Sequence, residues 1–147
     1  GISSRRKRLP PEKIVTTIQS DLDIVTARST VRDVAKKQGF IPIDQARLAT
    51  AVSELARNVF LYAKTGELSI VPIEQEGRKG IEIICEDQGP GIADVELAMQ
   101  DEYSTSGGKG MGLPGARRLM EEFDIQSQPG VGTRIVCRKW CPVKGVN

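Results

Sequence analysis

Glu86-Asp87-Gln88-Gly89-Pro90-Gly91-Ile92 follows directly on the apolar run Ile81-Glu82-Ile83-Ile84-Cys85. The run is short, rich in β-branched residues and reads as a buried strand. The loop at its end has the form D-x-G-x-G. Two glycines two residues apart let the backbone come close to a ligand. Asp87 supplies an acceptor at the strand's end and suits an exocyclic amino group such as that of adenine. Taken alone, the same residues also describe a tight turn with an Asx cap.

Working upstream, Glu76-Gly77-Arg78-Lys79-Gly80 reads as a hairpin-type connection and Glu67 to Ile73 as its first strand. Before it, Asp44 can cap a helix that runs to about Lys64, with Gly66 past its end and Ala46, Ala49, Val52, Leu55, Ala56 and Val59 inside. An earlier helix follows the possible caps Asp21 and Asp23; Ile24, Ala27, Val31, Val34 and Ala35 recur at helical spacing and Gly39 stands where a C-terminal cap belongs. Its other face, Arg28, Arg32, Lys36 and Lys37, is most simply solvated. Lys13 to Gln19 reads as a first strand.

Downstream, a short helix is expected near Asp94 to Met99. Asp101 to Gly110 is polar and glycine-rich, which suggests mobility. Gly112 to Phe123 reads as a helix burying Leu113, Ala116, Leu119 and Met120. Ile125 to Gln128 and Thr133 to Trp140 read as two strands around Pro129-Gly130-Val131-Gly132. Runs of neighbouring strands favour an α/β chain of the two-layer α+β type, with a mixed, mostly antiparallel sheet and helices on one face.

Two further segments carry chemistry. In Ser53-Glu54-Leu55-Ala56-Arg57-Asn58, Glu54 and Asn58 are four residues apart and share one helix face. Asn costs helix propensity and a carboxylate near a core face costs desolvation, so a compensating role is expected. An amide oxygen is a hard-metal ligand, and a neighbouring Glu can act as a general base. Read alone the pair is a weak signal, and a solvent-facing Glu and Asn is the better reading of these two residues. Ser104-Thr105-Ser106-Gly107-Gly108-Lys109-Gly110-Met111-Gly112-Leu113 runs into a helix, where glycine-rich amides form an anion site. It has neither the P-loop spacing nor the context of a dinucleotide fingerprint, and a flexible surface loop is the other reading.

Composition narrows the chemistry. The 147 residues contain no histidine, which excludes Ser-His-Asp and Cys-His triads, HExxH zinc sites and autophosphorylation on histidine. Three cysteines, Cys85, Cys137 and Cys141, lack metal-site spacing and read as reduced structural or surface thiols. Of the net +2, Arg5-Arg6-Lys7-Arg8 hold +4. Taking those four from the 21 basic residues leaves 17 against 19 acidic ones, about −2 for the remainder. Residues 1–12 are therefore expected to be a basic, disordered leader, 13–140 a single domain and 141–147 a tail. No basic stripe interleaved with aromatics suggests nucleic-acid binding. No apolar run nears the ~18 residues of a membrane helix and no signal-peptide pattern is seen, so no membrane association and a cytoplasmic location are expected.

Taken together, E-x-x-x-N on a helix, D-x-G-x-G after a strand and G-x-G-x-G-L opening a helix resemble the GHKL (Bergerat) ATPase family, over about Lys13 to Trp140. The wording of "SELARN", "EDQGPGI", "STSGGKGMGLPGARRLMEEFDI" and "GVGT" is similar to the RsbT-type serine/threonine switch kinases of bacterial stress signalling. The resemblance implies ATP and Mg²⁺ as cofactors, with Asn58 on the metal, Glu54 as general base and Asp87 on adenine. It implies that Gly89 and Gly91, beside Ile92, permit the base's approach. Ser104, Thr105, Ser106, Gly107, Gly108, Lys109, Gly110, Met111, Gly112 and Leu113 would form a lid over the phosphates, with Gly108, Gly110 and Gly112 giving amides. Thr133 matches the family's last nucleotide-pocket motif, and Arg57 and Lys109 would assist with phosphate charge. The implied acceptors are STAS-domain proteins, scaffold and antagonist, of the stressosome. The implied output is a PP2C-type phosphatase or another module, and a weak homodimer is compatible. The alternative is an anti-sigma factor of the SpoIIAB type that sequesters a sigma factor.

Overall fold

A computed structural model of the chain describes residues 12–92, 99 and 112–142. In chain order these form β1 (Ile14–Ile18), α1 (Asp21–Gln38), α2 (Pro42–Tyr62), β2 (Gly66–Gln75), β3 (Arg78–Asp87), α3 (Gly112–Leu119), β4 (Glu122–Gln128) and β5 (Gly132–Trp140). The strands make one sheet in the order β1-β2-β3-β5-β4. Every neighbouring pair is antiparallel, so among the described residues the expected mixed sheet is purely antiparallel.

The period of two along each strand separates the faces. On one face Leu68, Cys85, Ile135 and Ile125 form a cross-strand row, and Ile70, Ile83, Cys137 and Phe123 form the next. These rows meet Ala27, Val31, Leu48, Val52, Leu55 and Val59 of α1 and α2 in one core. On the other face charged pairs flank the row Ser69, Ile84, Val136 and Asp124: Arg134 pairs with Glu86 at 3.0 Å, and Arg138 bridges Glu82 at 2.8 Å and Glu122 at 2.7 Å. The helices thus lie on one face, as the sequence led us to expect.

α1 is capped by Ser20, not by either aspartate. The Asp23 amide donates to Ser20 Oγ at 3.4 Å, while the Asp23 carboxylate accepts from the Gln19 amide at 2.8 Å and from the Ser20 hydroxyl at 3.2 Å. Asp23 therefore completes a reciprocal cap from the third helical position. Gly39, at φ +94°, closes the helix with bonds to the carbonyls of Ala35 and Lys36.

α2 begins two residues before the expected cap. Pro42 occupies its first turn and Ile41 precedes it without a side-chain bond. Asp44 is instead a buried first-turn carboxylate paired with Arg47 at 3.0 Å and approached by Lys139 at 3.9 Å. α2 ends at Tyr62 with Ala63 as its cap, so Gly66 lies past its end as expected and opens β2; the chain turns at Lys64, φ +71°. The helix expected over Gly112 to Phe123 ends at Leu119, and Glu122 and Phe123 belong to β4. The expected helix near Asp94, the glycine-rich stretch, the basic residues 5–8 and the last five residues lie outside the described residues.

Candidate functional site

Glu54, Arg57 and Asn58 lie along one partly exposed stripe of α2, flanked by buried Leu55, Ala56 and Val59. Glu54 is the best shielded of the charged pair, its side chain 13% exposed against 41% for Arg57. Both of its carboxylate oxygens are engaged. Oε2 accepts from Arg57 Nη1 at 3.0 Å, and Oε1 accepts from the backbone amide of Gly112 at 3.1 Å. Gly112 opens α3 at φ +57°. The amide expected to face phosphate and the guanidinium expected to assist it are therefore both committed to Glu54 in this structure. The contact also brings the E-x-x-x-N helix and the G-x-G-x-G-L segment together. Leu113 follows Gly112 into the core.

Asn58 is half-buried and makes no side-chain hydrogen bond or ion pair among the described residues. An unpaired amide oxygen on this stripe fits a hard divalent cation. Among the described residues no group of three or more acidic or cysteine side chains could hold a metal by itself.

The D-x-G-x-G segment begins at the end of β3. Asp87 Oδ1 accepts from the Gly89 amide at 2.9 Å, so the Asx turn is real, and it leaves Oδ2 without a protein partner among the described residues. Turn and ligand acceptor are compatible readings of the one carboxylate. A Cβ at Gly89 would stand 2.6 Å from that of Ala63, just past α2. At Gly91, φ +78°, it would run into the carbonyl oxygen of Gln128, and at Gly132, φ +149°, into that of Asp87. The glycines expected to admit a ligand thus admit the protein's own backbone. They seat residues 88–92 between the end of α2 and the β4–β5 turn. The Gly130 amide fastens that turn to Pro90 O at 2.7 Å.

Thr133 pairs with Asp87 across β3 and β5, on the same inner face, and is buried. Its hydroxyl lies 2.8 Å from that of Ser127, its partner across β4. Ser127 Oγ also accepts from the amide of Ile92 at 2.6 Å. Sequence reading missed Ser127: a serine in a strand carries no spacing signal, and only register places it here. Ile92 itself packs half-buried against the core. Ser104, Thr105, Ser106, Gly107, Gly108, Lys109, Gly110 and Met111 lie outside the described residues.

The site thus joins a carboxylate, an amide without a partner among the described residues and a row of polar hydroxyl and carboxyl groups at one end of a helix–sheet sandwich. Its sequence matches the family described as histidine kinase-, DNA gyrase B- and HSP90-like ATPases over residues 43–142. The chain is 54% identical to the serine/threonine-protein kinase RsbT of Bacillus subtilis over 123 residues, 84% of this chain and 92% of that protein. It is 35% identical to an anti-sigma F factor of Caldanaerobacter subterraneus over 101 residues, 65% of this chain and 69% of the relative. Among solved structures, the RsbU and RsbW domains of a Mycobacterium tuberculosis protein share the fold, with a TM-score of 0.61 at 19% identity; the match covers 95% of this chain and 36% of that one. The SiaB–SiaC complex of Pseudomonas aeruginosa gives a TM-score of 0.52 at 13% identity, covering 86% of this chain and 89% of that one. The chain belongs to the histidine kinase-, DNA gyrase B- and HSP90-like (GHKL) ATPase family.

Proposed function

We propose that the chain is a serine/threonine protein kinase that transfers the γ-phosphoryl group of ATP to a hydroxyl on a partner protein and exchanges partners afterwards. The observation that carries this reading is the 54% identity to RsbT along nearly that protein's whole length. The geometry agrees with it. Glu54 is an oriented, shielded carboxylate on the same helix stripe as Asn58. In the transfer, the acceptor oxygen bonds to the γ-phosphorus as the bond to the β–γ bridging oxygen breaks and ADP leaves. The hydroxyl proton passes to Glu54. Arg57 and the Gly112 amide hold that carboxylate in place. Asn58 would hold Mg²⁺, which when bound offsets phosphate charge. Asp87 and Thr133 would meet the adenine edge.

The acceptor in this reading is a STAS-domain protein of a stressosome. A phosphate adds about −2 charge at an interface packed for a neutral hydroxyl and weakens the complex. The kinase is then free for a PP2C-type phosphatase or another output module. Such a cycle belongs in the cytoplasm; among the described residues no helix is long and apolar enough to cross a membrane. The test is incubation with γ-labelled ATP and a candidate STAS protein, followed by mapping of the modified residue. Label on one serine or threonine is expected, and none would overturn the reading. Sequestration of a sigma factor is the second reading, favoured by the anti-sigma F relatives. Capture of a sigma factor with no transfer to a STAS protein would select it.

A further inference from the structure

Glu54 divides the site between its two oxygens. Oε1 accepts from the amide of Gly112, which belongs to the G-x-G-x-G-L segment, and Oε2 accepts from Arg57 Nη1. The helix makes the same division. At 3.6 residues per turn, Arg57 stands about 60° round α2 to one side of Glu54, and Asn58 about 40° to the other. The carboxylate therefore lies between the side chain assigned to Mg²⁺ and a guanidinium.

Arg57 is not used up by Glu54. A guanidinium carries five N–H donors in a planar fork. One of them meets Oε2 at 3.0 Å, and the Nε–Nη2 edge has no partner among the described residues. The side chain is 41% exposed against 13% for Glu54, so Arg57 is the outer member of the pair. Leu61, four residues on and on the same helix face, is 52% exposed. A phosphate gains nothing from an exposed leucine beside it, whereas a protein surface covers one.

In phosphoryl transfer the acceptor oxygen and the leaving oxygen lie on opposite sides of the γ-phosphorus. The metal and phosphates belong on the Asn58 side of Glu54 in the reading above. The acceptor hydroxyl, which gives its proton to Glu54, then enters on the Arg57 side. We infer that Arg57 is a specificity-determining residue for the acceptor protein: its free edge binds a carboxylate standing beside the hydroxyl to be phosphorylated. The inference rests on the kinase reading of this site. A carboxylate matches the Nε–Nη2 edge with two parallel hydrogen bonds. Without Arg57 the same carboxylate would meet the like charges of Glu54 and the triphosphate. Arg57 thus favours acceptors whose hydroxyl is flanked by an aspartate or glutamate.

The test uses the full chain, γ-labelled ATP and the candidate STAS protein on which the modified residue has been mapped. A carboxylate is expected beside that residue; a mapped hydroxyl with none overturns the inference while the kinase reading stands. Exchanging that carboxylate for the corresponding amide should lower kcat/KM for the acceptor about fivefold with the wild-type kinase. An unchanged kcat/KM overturns the inference. With Arg57→Gln the two acceptors should differ by less than about twofold. A loss of Glu54 positioning in that variant lowers kcat for both acceptors alike and cancels in their ratio. A role of Arg57 on the phosphates raises KM for ATP and also leaves the ratio unmoved. A wild-type ratio that persists in Arg57→Gln therefore overturns the inference. Should that variant not fold, Arg57→Lys, which keeps the charge and loses the fork, must reduce the ratio, and an unreduced value overturns it equally. A STAS protein that takes no label overturns the kinase reading, and the inference with it.

Discussion

Glu54 concentrates the chemistry of the site on two oxygens with different duties. Oε1 holds the amide of Gly112 and Oε2 the guanidinium of Arg57. A glutamine keeps an oxygen for the Gly112 amide but cannot take a proton. Glu54→Gln should therefore lower phosphotransfer about 10²–10⁴-fold, with ATP affinity within a few-fold of wild type by calorimetry. Transfer at the wild-type rate would remove Glu54 from the general-base role. Glu54→Ala should lose transfer to the same extent and also leave the Gly112 amide unpaired, lowering stability by about 1 kcal/mol in urea denaturation. Asn58 poses the converse case, since its side chain has no partner among the described residues. Removing it breaks no such bond, so Asn58→Ala should leave the thermal midpoint near that of wild type. It should also abolish the Mg²⁺ dependence of nucleotide affinity. A Mg²⁺ dependence equal to that of wild type would take the metal away from this residue.

The β2–β3 hairpin shows how far local patterns determine an element. Its turn consists of Glu76 and Gly77, with φ of +54° and +79° and Gln75 paired to Arg78. Two left-handed residues form the turn that matches strand twist, but glutamate is strained in the first of them. Glu76→Asn should raise stability by on the order of 1 kcal/mol, read as a higher urea midpoint with unchanged slope; a lowered midpoint would contradict the strain. The sequence contained this turn, because Gly77 and the apolar run after it are local signals. It contained α1 and α2 for the same reason. Elements decided by distant partners were read less well. Leu119, Met120 and Phe123 have helical spacing, yet Phe123 pairs with Cys137 and Glu122 with Arg138 in the sheet. Tertiary pairing there overrides the local pattern. Asp44 resembled a helix cap because caps are a matter of residue type, whereas its burial and the approach of Lys139 depend on the fold.

Across the whole molecule, the motifs located the ends of the site and the sheet register supplied what joins them. Glu54, Asn58, Asp87 and Thr133 were visible in sequence; Ser127 and the commitment of Gly112 to Glu54 required three-dimensional adjacency. The cysteines are a further consequence of that adjacency. Cys85 and Cys137 stand on neighbouring strands in the core, both as free thiols. Burial pushes the Cys85 thiol far up, with Asp87, Cys137 and Glu86 adding to it. Burial, and then Glu82, pushes Cys137 up to about 12. In the unfolded chain both ionise near their ordinary value of 9.0. Their folded values are the higher ones, so above pH 9 the unfolded state releases protons that the folded state retains. Their contribution to stability is therefore complete below about pH 9 and declines as pH rises toward 12. The slope is about 1.4 kcal/mol per pH unit for each thiol. Urea denaturation of the Cys85→Val/Cys137→Val double variant isolates this contribution, because tyrosines and lysines titrate equally in both proteins. Between pH 9 and 10.5 the wild type should lose stability more steeply than the variant. Parallel pH profiles would mean that the two thiols ionise as readily in the fold as in the unfolded chain.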